Sequence, residues 1–276
     1  MRFLLRALGA VLALALGFIG WGYWGATRPP IVVPFEYQLK GLPPGTRLRV
    51  LLISDTHRGR PDMSAARLDS VMAEANALKP DLILLAGDYI GGKPMGLNDK
   101  PNLEPAIRPL AQLHAPLGVF AVLGNHDNGR WGPIVFAAQP SPRLLVNRSV
   151  DIGPLVIAGV DSIEHGADVT AALAGAPPGK PVLLLRHEGD ALASVSPPKD
   201  LSVLALAGHT HGGQIMLPFI GAPSDRLLYD GAPLCRRGFC TLNGWPLYVT
   251  SGVGTSVLPL RIGVPPEMVL ITLTAG

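Results

Sequence analysis

The apolar residues of this chain form short runs, and several of these runs are followed directly by aspartate, histidine or asparagine. Five such runs lie at residues 48–53, 82–86, 118–123, 182–185 and 201–207. Runs of this length, bounded by turn-forming residues, are typical of buried strands. The sequence therefore predicts five strands whose carboxyl ends carry polar side chains.

Helical patterns lie between these strands. Ser64 is a good N-cap, and apolar residues three and four positions apart follow it: Leu68, Val71, Met72, Ala75 and Leu78. Pro80 closes this helix, and further helices are predicted at residues 104–113 and 168–173. Additional strands are predicted at residues 31–40, 144–147, 155–160, 246–250 and 268–274. This alternation predicts an α/β fold with mixed sheets and external helices.

The N-terminal segment has a different pattern. Residues 7–27 carry no charge, and arginines flank them at Arg2, Arg6 and Arg28. As a helix these 21 residues would span about 31 Å, enough to cross a bilayer. Aromatic residues suited to the membrane interface lie near the outer end: Trp21, Tyr23 and Trp24. The segment therefore predicts a membrane-spanning helix.

The alternative to an anchor is a cleaved signal peptide. The cleavage pattern is poor, because a site after Ala26 would place Trp24 at the third position back, and a site after Gly22 is weaker still. We favour an uncleaved anchor in residues 1–30, with the early arginines in the cytoplasm and a single domain in residues 31–276 exported.

Composition narrows the classes of function. The net charge is +3, and the basic residues are scattered without interleaved aromatics. This distribution does not predict specific nucleic-acid binding. A chain of 276 residues is long enough for a large domain with a substantial core.

The polar residues at the strand ends have the chemistry of metal ligands. They are Asp55, His57, Asp88, Asn125, His187, His209 and His211. Oxygen and imidazole donors without thiolate suit Mn²⁺, Fe or Zn²⁺. Seven donors exceed what one ion takes, whereas two ions that share a carboxylate use all of them. A pair of ions about 3.5–4 Å apart can hold the attacking and leaving oxygens of a displacement at phosphorus.

The order of these motifs resembles a known family. Asp55-x-His57, Gly87-Asp88, Gly124-Asn125-His126-Asp127, His187 and Gly208-His209-x-His211 match, in order, the five motifs of the calcineurin-like metallophosphoesterases. The segments Gly208-His209-Thr210-His211-Gly212-Gly213-Gln214-Ile215 and Val264-Pro265-Pro266-Glu267 are similar to the membrane-associated YaeI-type phosphodiesterase branch. The resemblance implies a four-layer α/β/β/α sandwich of two mixed sheets.

The resemblance also implies roles for the residues. Asp55, His57 and His211 would hold one ion, and Asn125, His187 and His209 the other; Asp88 would bridge the two. Hydroxide held by the metals would attack a phosphodiester, while His126 protonates the leaving group and Asp127 orients His126. The site would lie on the periplasmic or extracytoplasmic side of a bacterial inner membrane.

Two further hypotheses stay open. One is hydrolysis of a lipid-linked pyrophosphate such as a UDP-sugar lipid, and the other is a metal-binding scaffold without turnover. The phosphoester substrate is therefore left open between lipid-linked and nucleotide compounds.

A few residues lie near or outside this pattern. Arg58 and Arg60 follow the first motif and are candidates to contact a phosphate. His114 and His165 fall outside the pattern. Cys235 and Cys240 are the only cysteines, and in an oxidising compartment they could pair, which would stabilise the chain by about 2 kcal/mol.

Overall fold

The computed structural model describes residues 2–91, 100–127, 129–227 and 233–276. The α-helices in these ranges are α1 (Arg2–Thr27), α2 (Ala65–Ala77), α3 (Lys100–Ile107), α4 (Trp131–Ala137), α5 (Val169–Leu173) and α6 (Ser224–Leu227). The strands are β1 (Ile31–Leu39), β2 (Arg47–Ile53), β3 (Leu82–Leu85), β4 (Val119–Ala121), β5 (Arg143–Leu144), β6 (Arg148–Asp151), β7 (Val156–Gly159), β8 (Val182–Leu185), β9 (Val203–Ala207), β10 (Gly238–Leu242), β11 (Trp245–Val249) and β12 (Glu267–Ala275).

The strands form two mixed sheets of six strands each. The first has the order β1-β12-β2-β3-β4-β5 and the second the order β10-β11-β9-β8-β7-β6. In the first sheet β2, β3 and β4 are parallel neighbours, and in the second β7, β8 and β9 are. The carboxyl ends of parallel neighbours lie at one edge of a sheet, which is where α/β folds place their sites.

Three apolar clusters hold the layers together. One lies between the first sheet and α2, α3 and α4, a second between the two sheets, and a third between the second sheet and α5. Because residues alternate along β2, Leu51 and Ile53 face the helices while Val50 and Leu52 face the other sheet. A strand buried on both faces gives an uninterrupted apolar run. The four-layer sandwich predicted from the sequence is confirmed.

Most of the predicted elements are present at nearly the predicted positions. The side chain of Ser64 accepts a hydrogen bond from the Arg67 backbone N–H, as an N-cap should, and α2 buries Leu68, Val71 and Met72. The predicted helix at 104–113 is instead α3 followed by a 3₁₀ helix at Arg108–Gln112. Pro109 explains this change, because proline lacks an N–H and disfavours the α conformation of the residue before it.

The strand predicted at residues 144–147 is wrong. The chain instead ends β5 at Leu144, turns at Asn147 and begins β6 at Arg148 in the other sheet. Asn147 has a φ of +46°, and its side-chain oxygen accepts hydrogen bonds from the backbone N–H groups of Asp161 and Asp168 at 2.9 and 3.0 Å. Asparagine tolerates this left-handed conformation, so one residue carries the chain between the sheets.

Helix α1 is long and apolar enough to cross a membrane. Its residues 2–21 are exposed, whereas Gly22 and Ala26 are buried against the rest of the chain. This exposure fits the anchor predicted from the sequence, because a helix with an apolar surface on all sides requires an apolar environment.

Candidate metal centre

The structure brings all seven predicted ligands together. They follow the carboxyl ends of β2, β3 and β4 in the first sheet and of β8 and β9 in the second. The group is therefore built from both sheets across the top of the sandwich. Five of the seven are buried, namely Asp55, His57, Asp88, His187 and His211, while Asn125 and His209 are partly exposed.

The first half of the centre contains Asp55, His57 and His211. The Nε2 atoms of His57 and His211 are 3.1 Å apart, and Asp55 Oδ1 lies 3.4 Å from His211 Nε2. Asp88 Oδ2 is 3.4 Å from His57 Nε2. One oxygen or nitrogen atom of each side chain thus faces a common point, and the first three residues form a group able to hold a cation.

The second half contains Asn125, His187 and His209. Asn125 Oδ1 is 3.2 Å from His187 Nε2 and 3.0 Å from His209 Nδ1. Asp88 Oδ2, the same oxygen that faces His57, is 3.2 Å from His187 Nε2. Asp88 therefore lies between the two halves.

The hydrogen bonds of the imidazoles test whether these residues fit cations. His57 Nδ1 is 3.1 Å from the Ile90 carbonyl oxygen, and His187 Nδ1 is 2.6 Å from the Ala86 carbonyl oxygen. A carbonyl only accepts, so each Nδ1 donates, and each ring when neutral presents a lone pair at Nε2. The Nε2 atoms face carboxylate and amide oxygens, and Asp55 Oδ1 is buried with no hydrogen-bond donor among the residues that the structure describes. Converging acceptors of this kind fit divalent cations.

Burial shifts the pKa values of the imidazoles of His57 and His209. It lowers the pKa of His57 to about 3 and, together with the charge on His187, lowers the pKa of His209 to about 4. Burial alone would raise the pKa of Asp88, but His187 and His57 hold it well below its ordinary value. At neutral pH the centre therefore contains neutral imidazoles of His57 and His209 beside a charged Asp88, the forms that bind cations. Burial alone would lower the pKa of His187, but Asp88 raises it well above its ordinary value, so a cation must displace a proton from His187.

We expect the metal-free protein to bind Mn²⁺ more weakly as the pH is lowered through about 6. Burial raises the pKa of Asp55 to about 6, so below that pH a proton must leave the carboxylate before a cation binds. Affinity should fall by about tenfold per pH unit for each displaced proton. Titrations of Mn²⁺ between pH 7.5 and 5, with free Mn²⁺ followed by electron paramagnetic resonance, measure this; constant affinity would contradict it.

The backbone is strained at five of the seven predicted ligands. Asp55, His57, Asp88, His209 and His211 have φ values of +56°, +45°, +58°, +73° and +50°. Non-glycine residues rarely adopt this left-handed region, and such strain is concentrated at functional sites. The fold accepts it at five residues that all point into one centre.

Two glycines allow the ligand loops to approach closely. A Cβ on Gly124 would lie 2.2 Å from Asp88 Oδ1, and one on Gly208 would lie 2.6 Å from Asp55 Oδ2. Any side chain at these positions would displace a carboxylate of the centre. The glycines of the Gly124-Asn125-His126-Asp127 and Gly208-His209 motifs are therefore required sterically.

His126 lies beside the first half of the centre. Its ring is edge-on to that of His57, with 4.8 Å between centroids, and its backbone N–H donates to Asp88 Oδ1 at 2.8 Å. His126 also forms, with His57 and Asp88, a group whose ligand atoms lie within 4.8 Å of one another. The position suits either an acid that reaches a leaving group or an additional ligand.

The carboxylate of Asp127 accepts backbone hydrogen bonds from two loops. Its Oδ2 accepts hydrogen bonds from the Asp88 and Gly124 backbone N–H groups, both at 2.9 Å, and its Oδ1 accepts from Tyr89 at 2.9 Å. Asp127 thus holds the loop that carries Asp88 against the loop that carries His126. The predicted orientation of His126 by Asp127 would act through the backbone of this turn.

Sequence reasoning missed Arg261. This buried guanidinium donates to the carbonyl oxygens of Ser251 at 2.6 Å and Gly252 at 3.1 Å. The same loop returns a hydrogen bond from the Gly254 N–H to the Asp55 carbonyl oxygen at 2.7 Å. Arg261 therefore stabilises the loop that is hydrogen-bonded to the backbone of Asp55. An isolated arginine in the apolar segment 258–262 is the only sequence signal for it.

Arg60 forms a hydrogen bond within the protein. Its guanidinium donates to the carbonyl oxygen of Val257.

Of the histidines outside the motifs, His114 is exposed and His165 lies 3.8 Å from the Asp161 carboxylate.

Cys235 and Cys240 are joined in a disulfide, with an S–S distance of 2.01 Å. The loop it closes contacts the metal centre through Thr210, which stands between His209 and His211 and donates its hydroxyl to the Arg236 carbonyl oxygen at 2.5 Å.

Comparison with known families gives the decisive observation. Residues 48–213, more than half of the chain, match the family model described as calcineurin-like phosphoesterase. The chain belongs to this family. The calcineurin-like phosphoesterases are metal-dependent hydrolases of phosphoesters, and the Asp and His groups described above can hold two divalent metals.

Individual relatives agree with the family model. The chain is 33% identical over 253 residues to an uncharacterized metallophosphoesterase of Aquifex aeolicus, covering 88% of this chain and 91% of the relative. It is 31% identical over 290 residues to the uncharacterized metallophosphoesterase YkuE of Bacillus subtilis, covering 99% and 96%. It is 29% identical over 294 residues to a bovine transmembrane protein with metallophosphoesterase domain, covering 98% of this chain but only 62% of that longer protein.

Proposed function

We propose that this calcineurin-like phosphoesterase is a membrane-tethered phosphodiesterase with two divalent cations, bound by the seven residues of the centre and shared through Asp88. The observation that carries the proposal is the position of one oxygen. Asp88 Oδ2 lies 3.4 Å from His57 Nε2 and 3.2 Å from His187 Nε2, in opposite halves of the centre. Neighbouring ligand atoms of one ion with bonds near 2.1 Å lie about 3 Å apart, so this oxygen is placed to bind one ion with His57 and a second ion with His187.

The proposed ligand assignment follows the two halves. Asp55, His57 and His211 hold one cation, and Asn125, His187 and His209 hold the other. The cations, when bound, supply positive charge to the phosphate and lower the pKa of water to about 7. The residues of the chain then orient the ester and protonate the leaving group.

His126 is the proposed acid. It lies at the edge of the first half and is partly exposed, so it can reach the oxygen of a departing alcohol. The hydrogen bond from its backbone N–H to Asp88 Oδ1 fixes it relative to the shared carboxylate. Asp127 positions it by holding the two loops together. The preference for diesters rests on the sequence resemblance to the YaeI-type branch.

Hydrolysis of model esters tests this proposal. Purified full-length protein is stripped of metal, reloaded with Mn²⁺ and assayed on bis(p-nitrophenyl) phosphate and on p-nitrophenyl phosphate. We expect a higher kcat/KM for the diester than for the monoester, and loss of activity in EDTA. Equal rates on the two esters, or activity that persists in EDTA, would overturn the proposal.

Membrane tethering is supported by the exposed apolar surface of α1 and by the name of the bovine relative. The arginines Arg2 and Arg6 precede the apolar segment and favour a cytoplasmic N-terminus, which places the domain on the opposite side.

We therefore expect alkaline phosphatase fused after Gly45 to be active in a bacterial host. The reason is that alkaline phosphatase folds only after export. A matched fusion that lacks residues 7–27 should be inactive and should leave the membrane fraction. An inactive full fusion, or release of the full-length protein by high salt, would contradict the proposed topology.

A further inference from the structure

An apolar cavity of about 190 Å³ opens beside the metal centre. It is lined by the ligand His211 and by side chains that include Ile215, Pro223, Val257 and Leu258. Because His211 belongs to both, a molecule bound in the cavity extends directly to the metal centre. The cavity surface is mostly carbon.

Two polar side chains of the lining, Gln214 and Thr210, are engaged within the protein. Gln214 donates to the Ser256 and Leu258 carbonyl oxygens at 3.0 and 2.8 Å and accepts from the Ser256 N–H at 2.8 Å. The hydroxyl of Thr210 donates to the Arg236 carbonyl oxygen. Because these two side chains bond within the protein and the cavity surface is mostly carbon, the cavity suits an apolar group better than a sugar or a base.

Exposed apolar side chains lie on the two segments that line the cavity. The turn between Ile215 and Pro223 exposes Phe219 and Ile220, and Val257 and Leu258 are 57% and 51% exposed. Val257 and Phe219 have φ values of +54° and +64°. A β-branched and a bulky residue are rarely found in this region. The strained backbone at these two residues therefore presents apolar side chains to the outside.

Helix α1 contacts the segment that follows the cavity wall. The Gly22 carbonyl oxygen accepts a hydrogen bond from the Arg261 N–H at 2.8 Å, and a Cβ on Gly25 would lie 2.2 Å from the Arg261 carbonyl oxygen. The next residue, Ile262, accepts from the Met216 N–H at 2.8 Å and donates to the Gln214 carbonyl oxygen at 3.0 Å. The helix and the cavity wall thus share one connected piece of backbone.

The length of α1 places this wall at a membrane surface. Its uncharged residues from Ala7 to Ala26 rise about 30 Å, the thickness of the hydrocarbon core. With Arg2 and Arg6 in the cytoplasm, the outer boundary of that core lies at about Ala26, which is about 6 Å along the helix axis from the Gly22 contact with Arg261. Leu258 precedes Arg261 by three residues, a chain reach of about 11 Å at most. The mouth of the cavity therefore lies at the same boundary.

We propose that the cavity binds an alkyl chain of a phosphate-bearing lipid, with its phosphate on the metal centre. The proposal rests on the proposed function for the metal centre and adds the class of substrate. The volume is below the about 300–1,000 Å³ of pockets that enclose a drug-sized ligand, so it suits one segment of a single chain. The lipid enters from the bilayer surface that α1 defines.

Binding of non-hydrolysable probes tests the proposal without turnover. Full-length Mn²⁺-loaded protein in nanodiscs is titrated calorimetrically with dodecylphosphonate and with ethylphosphonate, and empty nanodiscs are subtracted. We expect at least about tenfold tighter binding of the dodecyl probe, because several buried methylenes contribute. Leu258→Glu should bring the two Kd values close together, and Ile134→Glu, at a similarly exposed residue of α4, should retain the preference.

A second variant separates loss of the cavity from misfolding of the protein. Val257→Gly removes a lining side chain at a φ of +54°, where glycine is favoured, so it should fold well and still reduce the preference. Equal binding of both probes by the unaltered protein would overturn the proposal. So would a preference that persists in both Leu258→Glu and Val257→Gly.

Hydrolysis separates this proposal from the proposed function. Ethyl p-nitrophenyl phosphate and dodecyl p-nitrophenyl phosphate share a leaving group and differ only in the chain. A higher kcat/KM for the dodecyl ester supports both proposals. Hydrolysis of the two esters at equal kcat/KM supports the phosphodiesterase and overturns the chain site. Preferred binding of dodecylphosphonate without hydrolysis of either ester supports the chain site and overturns the phosphodiesterase.

Discussion

The His126→Ala variant should hydrolyse an alkyl phosphodiester about 10²–10⁴-fold more slowly than the unaltered protein, which is the usual contribution of a positioned general acid. An alkoxide is a poor leaving group and requires a proton. A p-nitrophenolate is stable without one, so hydrolysis of bis(p-nitrophenyl) phosphate should fall much less. The measurement is kcat on both esters, in parallel with metal content.

Metal content decides between the two roles open to His126, as an acid or as an additional ligand. The structure places its ring near His57 and Asp88, within ligand distance of a cation. If it acts as the acid, His126→Ala keeps nearly all its metal and loses activity selectively on the alkyl ester. Loss of metal, or equal losses on both esters, would contradict the acid role. His114→Ala is the matched control, since His114 is exposed and distant from the motifs.

The Asp88→Asn variant should lose metal and activity together. Its Oδ2 faces both halves of the centre, and its Oδ1 accepts the His126 N–H. An amide in this place removes the shared negative charge, and to keep the His126 hydrogen bond it must turn its NH₂ group toward the ligands. Outer partners of metal ligands typically contribute about 10–100-fold in affinity, so a shared ligand should contribute at least about 100-fold.

The control for Asp88→Asn is Asp69→Asn, which removes a carboxylate on the exposed face of α2. It should retain metal and activity. His57→Ala should chiefly weaken one cation, because His57 faces only the first half of the centre. Normal metal content and turnover in Asp88→Asn would show that the carboxylate is not shared.

Much of this fold was predictable because strands buried on both faces leave uninterrupted apolar runs. The residues directly after those runs, such as Asp55 and Asp88, then had to meet at the sheet edge. The motif spacing added His209 and His211, one for each half of the centre. These inferences depend on local pattern and on strand polarity, both of which the sequence contains.

Other features depend on contacts between distant segments. Asp127 follows His126 in sequence, but in a tight turn neighbouring side chains diverge, and its carboxylate holds the Asp88 loop instead. The support of the Ser251 loop by Arg261 and the contact of Gly22 with Arg261 join segments that no periodic pattern relates. The crossing of the chain between sheets at Asn147 likewise follows from the shape of the sandwich rather than from local propensity.

Anomalous diffraction from crystals of the Mn²⁺-loaded protein at the manganese edge tests the central claim most directly. We predict two peaks about 3.5–4 Å apart, one among Asp55, His57 and His211 and the other among Asn125, His187 and His209, with Asp88 between them. A single peak, or a second peak outside these residues, would contradict the two-cation centre.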